Sequence, residues 1–280
     1  MATIQWYPGH MNKARNQLED KMGLIDVLVE VLDARIPEAS RNPMIEELVG
    51  NKPHIIILNK ADLADPALTK EWAKKLNGPD KYVLALDSLH NTNMQKLISL
   101  VKKAASEKTK KLEARGASNP TIRIALTGIP NCGKSTVINR LVGRNVAEVG
   151  NKPGVTKGKQ WIHINKKLEL LDTPGILWPK FDDKAVGLRL AMIGSMNDQI
   201  LNLEDLAFEI LKYIKDNYPG AIQMRYEIDE NQEIIQIMDE IGAKRGCLKK
   251  NALIDYEKLS GIITDDFRSG RMGRITLEMP

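Results

Sequence analysis

Gly128-Ile129-Pro130-Asn131-Cys132-Gly133-Lys134-Ser135 sets two glycines with four residues between them and follows the second with lysine and serine. Ile122 to Leu126 before it is an apolar, partly β-branched run. Val137, Ile138, Leu141 and Val142 after it fall on one helical stripe, so the loop leaves a strand and enters a helix. That context suits phosphate binding. Glycines let backbone N–H groups curl around a β-phosphate, and the helix N-terminus adds positive potential. Lys134 would span the phosphates and Ser135 would ligate magnesium. Asn131, Cys132, Gly133, Lys134, Ser135 and Thr136 are accordingly read as nucleotide contacts. A chain of this length matches the pattern by accident about once in a hundred sequences.

Two further pieces belong to a nucleoside triphosphate site. Asp172-Thr173-Pro174-Gly175 lies 37 residues beyond Ser135, at the end of an expected strand. There Asp172 can reach magnesium through water, and the Gly175 N–H can meet a γ-phosphate. Between the two motifs, Pro153-Gly154-Val155-Thr156 offers a threonine that would ligate magnesium when a γ-phosphate is present, as switch loops do.

Asn59-Lys60-Ala61-Asp62 names the base. A carboxylate at Asp62 accepts from the guanine N1–H and exocyclic amine, whereas adenine presents the wrong donor pattern. Asn59 can bond the base and a neighbouring loop, and the Lys60 stem can cover the purine ring. A site that hydrogen-bonds its substrate's donors rejects an analogue lacking them by roughly 10⁴-fold or more. The combination predicts binding of GTP and GDP and hydrolysis of GTP.

The elements that must position these loops alternate. Ile25 to Leu32, Ile55 to Leu58, Tyr82 to Leu86 and Ile122 to Leu126 read as strands. Leu68, Trp72 and Leu76, and then Met94, Leu97, Ile98 and Val101, read as helices between them. Ala14, Leu18 and Met22 stack in a short first helix over Met11 to Met22, closed by Gly23. Trp161 to Ile164 and Leu168 to Leu171 flank Asn165-Lys166-Lys167 as an antiparallel hairpin. An α/β sheet with helices on both faces follows. Residues 102–115 are lysine-rich and read as a solvated helix end and linker rather than a dedicated RNA contact. From Asp182 onward only helical stripes remain: Val186, Leu190 and Ile193; Leu203, Leu206, Ile210 and Ile214; Ile234, Ile237, Met238 and Ile241. A boundary near residue 180 divides the chain into a nucleotide-binding domain, 1–180, and an all-helical C-terminal domain, 181–280.

Motif order is unusual. Most GTPases run phosphate loop, switch threonine, D-x-x-G, then N-K-x-D. Here N-K-x-D comes first. The same sheet forms if segment 102–120 joins the old termini and the chain is opened after D-x-x-G, a circular permutation of the kind surface sites tolerate.

Composition narrows the setting. Two cysteines, Cys132 and Cys247, make neither a disulfide framework nor a cysteine-built zinc site. No apolar run is long enough to span a bilayer, and MATIQWYPGHMNKA lacks the features of a secretory signal. A cytoplasmic location away from membranes is expected. The net charge of +5 is compatible with a polyanionic partner. From Gly220 to the end there are nine Lys or Arg against eleven Asp or Glu, so basic residues there matter as clusters. These are Lys244, Arg245, Lys249 and Lys250, and then Arg268, Arg271 and Arg274.

WYPGHM at 6–11, DARIP at 33–37, NKAD, GIPNCGKS, PGVTKG at 153–158, DTPGILWPK at 172–180 and KRGCL at 244–248 together resemble the YlqF-type circularly permuted GTPases. The resemblance covers essentially the whole chain. It implies assembly of the large (50S) ribosomal subunit: binding of a late precursor particle, GTP hydrolysis stimulated by that particle, and contact between the helical C-terminal domain and ribosomal RNA. The rival reading is a GTP-dependent scaffold acting on a protein partner. The second base loop, usually S-A-K, stands here as Asp87-Ser88-Leu89, which places Asp87 and Ser88 among the GTP-binding residues. Magnesium is the expected cofactor, held by Ser135 and Thr156. The Asn131 side-chain oxygen could hold a potassium ion against the phosphates, or the side chain could simply tighten its loop. Ile176 follows D-x-x-G where many GTPases carry a glutamine, so another group must orient the attacking water. His10 would do so once a bound particle orders the N-terminal segment; otherwise it fixes its own loop or bonds an RNA phosphate.

Overall fold

The computed structural model describes residues 16, 18–118, 120–146, 161–165, 167–172, 183–198 and 201–280. Six strands, β1 (Val27–Asp33), β2 (His54–Asn59), β3 (Lys81–Ala85), β4 (Ile122–Gly128), β5 (Trp161–Asn165) and β6 (Leu168–Asp172), form one sheet in the order β3-β2-β1-β4-β6-β5. All pairs are parallel except β5 with β6, the hairpin expected around residue 166.

The apolar runs explain why the central strands carry no polar alternation. Every residue of β1 and β2 is buried, as in a parallel sheet covered on both faces. Val27, Val29 and Val31 share a cluster with Leu97 and Val101 of α3 (Met94–Ala104) and with Val137 and Ile138 of α5 (Lys134–Val142). On the opposite face, Leu28 joins Ile45 and Val49 of α1 (Pro43–Val49). Leu32 and Ile56 meet Trp72 and Leu76 of α2 (Pro66–Leu76). Side-chain period two thus divides one strand between two helical layers. Asp65 caps α2, accepting from the Ala67 and Leu68 amides at 2.8 and 3.0 Å.

Two details depart from expectation. The lysine-rich stretch is a second helix, α4 (Ser106–Ala114), set off from α3 at Ala105, and none of its residues is buried. Lys108 anchors it by an ion pair to Asp26. Near the start, residues 16, 18 and 19 are helical, but Gly23 lies inside a 3₁₀ turn over Met22–Leu24 rather than ending a helix; Ala14 lies outside the described residues.

Beyond residue 183 the described elements are helical: α6 (Lys184–Met192), α7 (Leu203–Asn217), α8 (Ala221–Tyr226), α9 (Ile234–Lys244) and α10 (Tyr256–Arg268). The stripes read from sequence face inward. Leu190, Leu206, Ile210, Ile214, Ile237, Met238 and Ile241 are all buried, and α7 packs along α10. Their core is continuous with that of the sheet, since one apolar cluster contains both Leu126 and Leu190. Among the described residues no helix is long and apolar enough to cross a membrane.

Candidate nucleotide site

Chain direction in the sheet fixes where a ligand can lie. From β1 the chain steps outward to β2 and β3, then returns across β1 to place β4 on its other side. Such a reversal opens a crevice at the carboxyl ends of the strands, where open α/β sheets bind ligands. The loops leaving β1, β2, β3 and β4 all emerge at that edge, and they carry Asp33–Pro37, Asn59–Asp62, Asp87–His90 and Gly128–Ser135.

The phosphate loop is shaped by two glycines. Gly128 has φ +148°, and a Cβ there would lie 2.3 Å from the Val31 carbonyl oxygen. Gly133 has φ +97°, and its Cβ would lie 2.2 Å from Asn59 Nδ2. Only glycine permits that close approach with a left-handed backbone. Gly133 caps α5, so Lys134, Ser135 and Thr136 form its first turn and their amides face the loop. Lys134 Nζ donates to the Ile129 carbonyl at 2.8 Å, laying the ammonium across the curve of the loop. Cys132 is wholly buried, and burial pushes its thiol up despite the nearby Lys134 and Lys60 cations. That disfavours the thiolate and fits a small packing residue.

The base loop is tied to this one through Asn59. Its Nδ2 donates to the Cys132 carbonyl at 2.8 Å, and its Oδ1 accepts from the Ser88 amide at 3.2 Å. Lys60 adopts φ +57°, and its ammonium sits 3.0 Å from Asp33, which directs the stem expected over the purine. Asp33 is fully buried and also takes Nε and Nη2 of Arg35 at 2.9 and 2.8 Å. Burial alone would raise its carboxyl. The Arg35 guanidinium and the Lys60 ammonium outweigh that and hold it far below the usual carboxylate range. Asp62 is half-buried, and its carboxylate oxygen lies within 4.8 Å of Asp87 and His90 ligand atoms. Asp87 pairs with His90 Nδ1 at 2.7 Å.

Sequence reading missed two residues. Arg140, on α5, donates to the Ser88 and Leu89 carbonyls at 3.2 and 2.6 Å, closing a ring from phosphate loop to base loop and back. An arginine one helical turn past the phosphate loop carries no periodic signal. Asp33 was visible only as part of a motif, because its role depends on the Lys60 side chain from another strand. The helical segment touches the same loops. Asn131 Nδ2 donates to the Gly194 carbonyl at 2.6 Å, and Ser195 Oγ donates to the Pro130 carbonyl at 2.8 Å.

In one basic cluster every arginine is engaged by acidic or carbonyl partners, although Arg271 and Arg274 stay exposed. Arg268 pairs with Asp198 and donates to the Ala191 and Met192 carbonyls, Arg271 pairs with Asp265 and Asp266, and Arg274 donates to Ala61 and Ala64. Of the remaining site residues, the backbone of Asp172 ends β6 in register with Leu126 of β4, beside the phosphate loop. His10, Thr156 and Gly175 lie outside the described residues.

A six-stranded α/β sheet whose carboxyl edge joins a phosphate loop to an N-K-x-D loop defines a GTPase of the phosphate-loop class, one that binds GTP and GDP and hydrolyses GTP. Residues 123–254 match the sequence pattern described as a 50S ribosome-binding GTPase. Ribosome biogenesis GTPase A of Bacillus pumilus is 47% identical over 279 residues, covering 99% of both chains. Two solved structures share the architecture. GDP-bound YlqF gives a TM-score of 0.68 at 25% identity, covering 94% of this chain and 99% of its own. GNP-bound YlqF from T. maritima gives 0.65 at 26%, covering 96% and 98%. The chain belongs to the ribosome biogenesis GTPase A family, and it is a GTPase of ribosome biogenesis.

GTPases of this class work with Mg²⁺. The Ser135 hydroxyl, in the first turn of α5, is a hard oxygen donor of the kind that ion takes.

Proposed function

We propose that the protein binds a late precursor of the large (50S) ribosomal subunit in the cytoplasm and promotes its maturation, with the particle stimulating GTP hydrolysis. The supporting observation is the pair of bonds from Gly194 and Ser195 to Asn131 and Pro130. A particle held by the helical residues is thereby felt at the phosphate loop. In this reading residues 1–180 form the GTPase domain and 181–280 a helical domain that meets ribosomal RNA. Lys249 and Lys250 are its exposed cations of choice, since Arg268, Arg271 and Arg274 are already engaged by carboxylates or carbonyls.

Within the site, Asp62 accepts from guanine, Asn59 and Ser88 brace it, Asp87 lies beside it, and the Lys60 stem covers the ring. Asn131 to Thr136 enclose the phosphates by backbone amides and the Lys134 ammonium. Ser135 and Thr156 would hold magnesium, with Asp172 reaching it through water; the ion would supply charge neutralisation to the phosphates, and the Gly175 amide would meet the γ-phosphate. The Gly194 carbonyl engages the amide nitrogen of Asn131, so its oxygen is the atom that would hold potassium. His10 orients the attacking water when the particle is bound.

Co-sedimentation with precursor particles across a salt series tests the reading. Binding with a GTP analogue that weakens steeply with salt is expected, because phosphate contacts release counterions. Binding to a protein partner with a shallow salt response, and none to particles, would favour the scaffold instead.

A further inference from the structure

After α10 the chain returns to the sheet as a buried strap. Ile275, Thr276, Leu277 and Glu278 are all at most 5% exposed. The strap does not pack at random; it reads the loop that carries Asp62. Arg274 Nη2 donates to the Ala61 carbonyl at 2.8 Å and its Nε to the Ala64 carbonyl at 3.0 Å. The Ile275 amide donates to the Leu63 carbonyl at 3.0 Å, and Thr276 Oγ1 accepts from the Asp65 amide at 3.0 Å. A Cβ at Gly270 would lie 2.7 Å from Leu63 Cδ2, so Leu63 is wedged there. Further along, the Leu277 amide donates to the Arg35 carbonyl at 2.7 Å. The Glu278 carboxylate accepts from the Glu38 and Ala39 amides at 2.7 and 3.0 Å.

Three carbonyls around Asp62, those of residues 61, 63 and 64, are thus held from outside the nucleotide-binding sheet. Loop carbonyls of this kind are usually left to water. Here a planar guanidinium clamps two of them, a geometry a point charge would not reproduce. We propose that Arg274 is a positioning residue for guanine recognition: by fixing the Ala61 and Ala64 carbonyls it sets the direction of the Asp62 carboxylate. The inference rests on Asp62 being the guanine acceptor. Its consequence is that the last residues of the helical segment govern how well the base is recognised, without touching it.

The test compares GDP with inosine diphosphate, which lacks the exocyclic amine that Asp62 would accept. Full-length wild type, Arg274→Ala and Asp62→Asn are titrated with both nucleotides. Arg274→Ala should lose about tenfold in GDP affinity, the worth of one hydrogen bond to a charged group, with a smaller loss for inosine diphosphate, which keeps the N1–H but not the amine. The GDP preference therefore shrinks. Equal losses for both nucleotides, or no loss, would overturn the proposal, because a merely structural role leaves the preference intact. If Asp62→Asn binds GDP like wild type, the base-loop reading itself fails. If only Asp62→Asn loses preference, the strap inference fails alone.

A measurement on the wild type stands whether or not the variant folds. Coupling is reciprocal, so GDP should slow hydrogen exchange at the Ile275 amide more than inosine diphosphate does at matched saturation. Equal protection by the two nucleotides would overturn the inference.

Discussion

Asn59 donates to the carbonyl of Cys132 at 2.8 Å, joining the loop that reads a base to the loop that cradles phosphate. The two loops leave strands β2 and β4, which are separated by β1, so no ladder bond could connect them. The amide also takes the Ser88 N–H on its oxygen. One side chain therefore ties three loops together.

Gly133→Ala should break this joint. The substitution combines a left-handed backbone with a Cβ 2.2 Å from Asn59 Nδ2. Strain of about 1–3 kcal/mol at such a position corresponds to roughly tenfold to a hundredfold in affinity. GTP and GDP binding should both weaken by that order, read by fluorescent-nucleotide titration, while far-UV circular dichroism stays native. Wild-type affinity would show that the Asn59–Gly133 approach plays no part in binding.

Asp33→Asn should destabilise the fold in a pH-dependent way. The carboxyl is buried, and Arg35 and Lys60 hold its pKa down. A depressed carboxylate adds stability that is complete above the unfolded-chain value near pH 4 and drains away as pH falls from there through the native value. Removing one side of a buried charge pair costs about 3–5 kcal/mol. Melting curves should show a gap of that order at neutral pH that narrows between about pH 4 and pH 2. A gap independent of pH would mean that Asp33 acts through shape, not charge.

Potassium dependence follows from Asn131. If its side-chain oxygen holds a monovalent cation against the phosphates, GTP hydrolysis should run faster in potassium than in sodium at equal ionic strength. Asn131→Ala should abolish the difference. Equal rates in both salts for the wild type would leave Asn131 as the tether to Gly194 alone.

His10→Ala should keep nucleotide and particle binding and the slow basal rate, yet lose most of the particle-stimulated rate. General-base or water-orienting contributions are typically about 10²–10⁴-fold, so the loss is easily measured. Full stimulation in the variant would assign His10 to loop structure.

What the sequence made legible follows how local each signal is. Ile55 to Leu58 announces a doubly covered strand because its four consecutive residues are all apolar, and β2 is buried throughout. GIPNCGKS announces its loop because backbone conformation and helix start are both written in eight consecutive residues. Lys60 is different. Its motif is local, but its ammonium is aimed by Asp33, 27 positions earlier, and no spacing rule reports a bond between strands. Arg268, Arg271 and Arg274 show the opposite failure. Their spacing reads as a basic face, yet each is engaged: Arg268 and Arg274 by chain returning from elsewhere, Arg271 by the nearby Asp265 and Asp266. Spacing reports the charges but not the partners that long-range pairing brings to them.

Sheet order also governs how the chain assembles during synthesis. β1, β2 and β3 are contiguous in sequence and pair side by side, whereas β1's other neighbour, β4, begins only at Ile122. Until those residues leave the ribosome, Val27–Asp33 is an edge strand with one row of backbone groups unpaired, and its apolar side chains are ones the finished fold wholly buries. During that interval the unpaired row of β1 is open to strand-to-strand aggregation, and the chain between β3 and β4 ends in α4, a lysine-bearing helix with no buried residue.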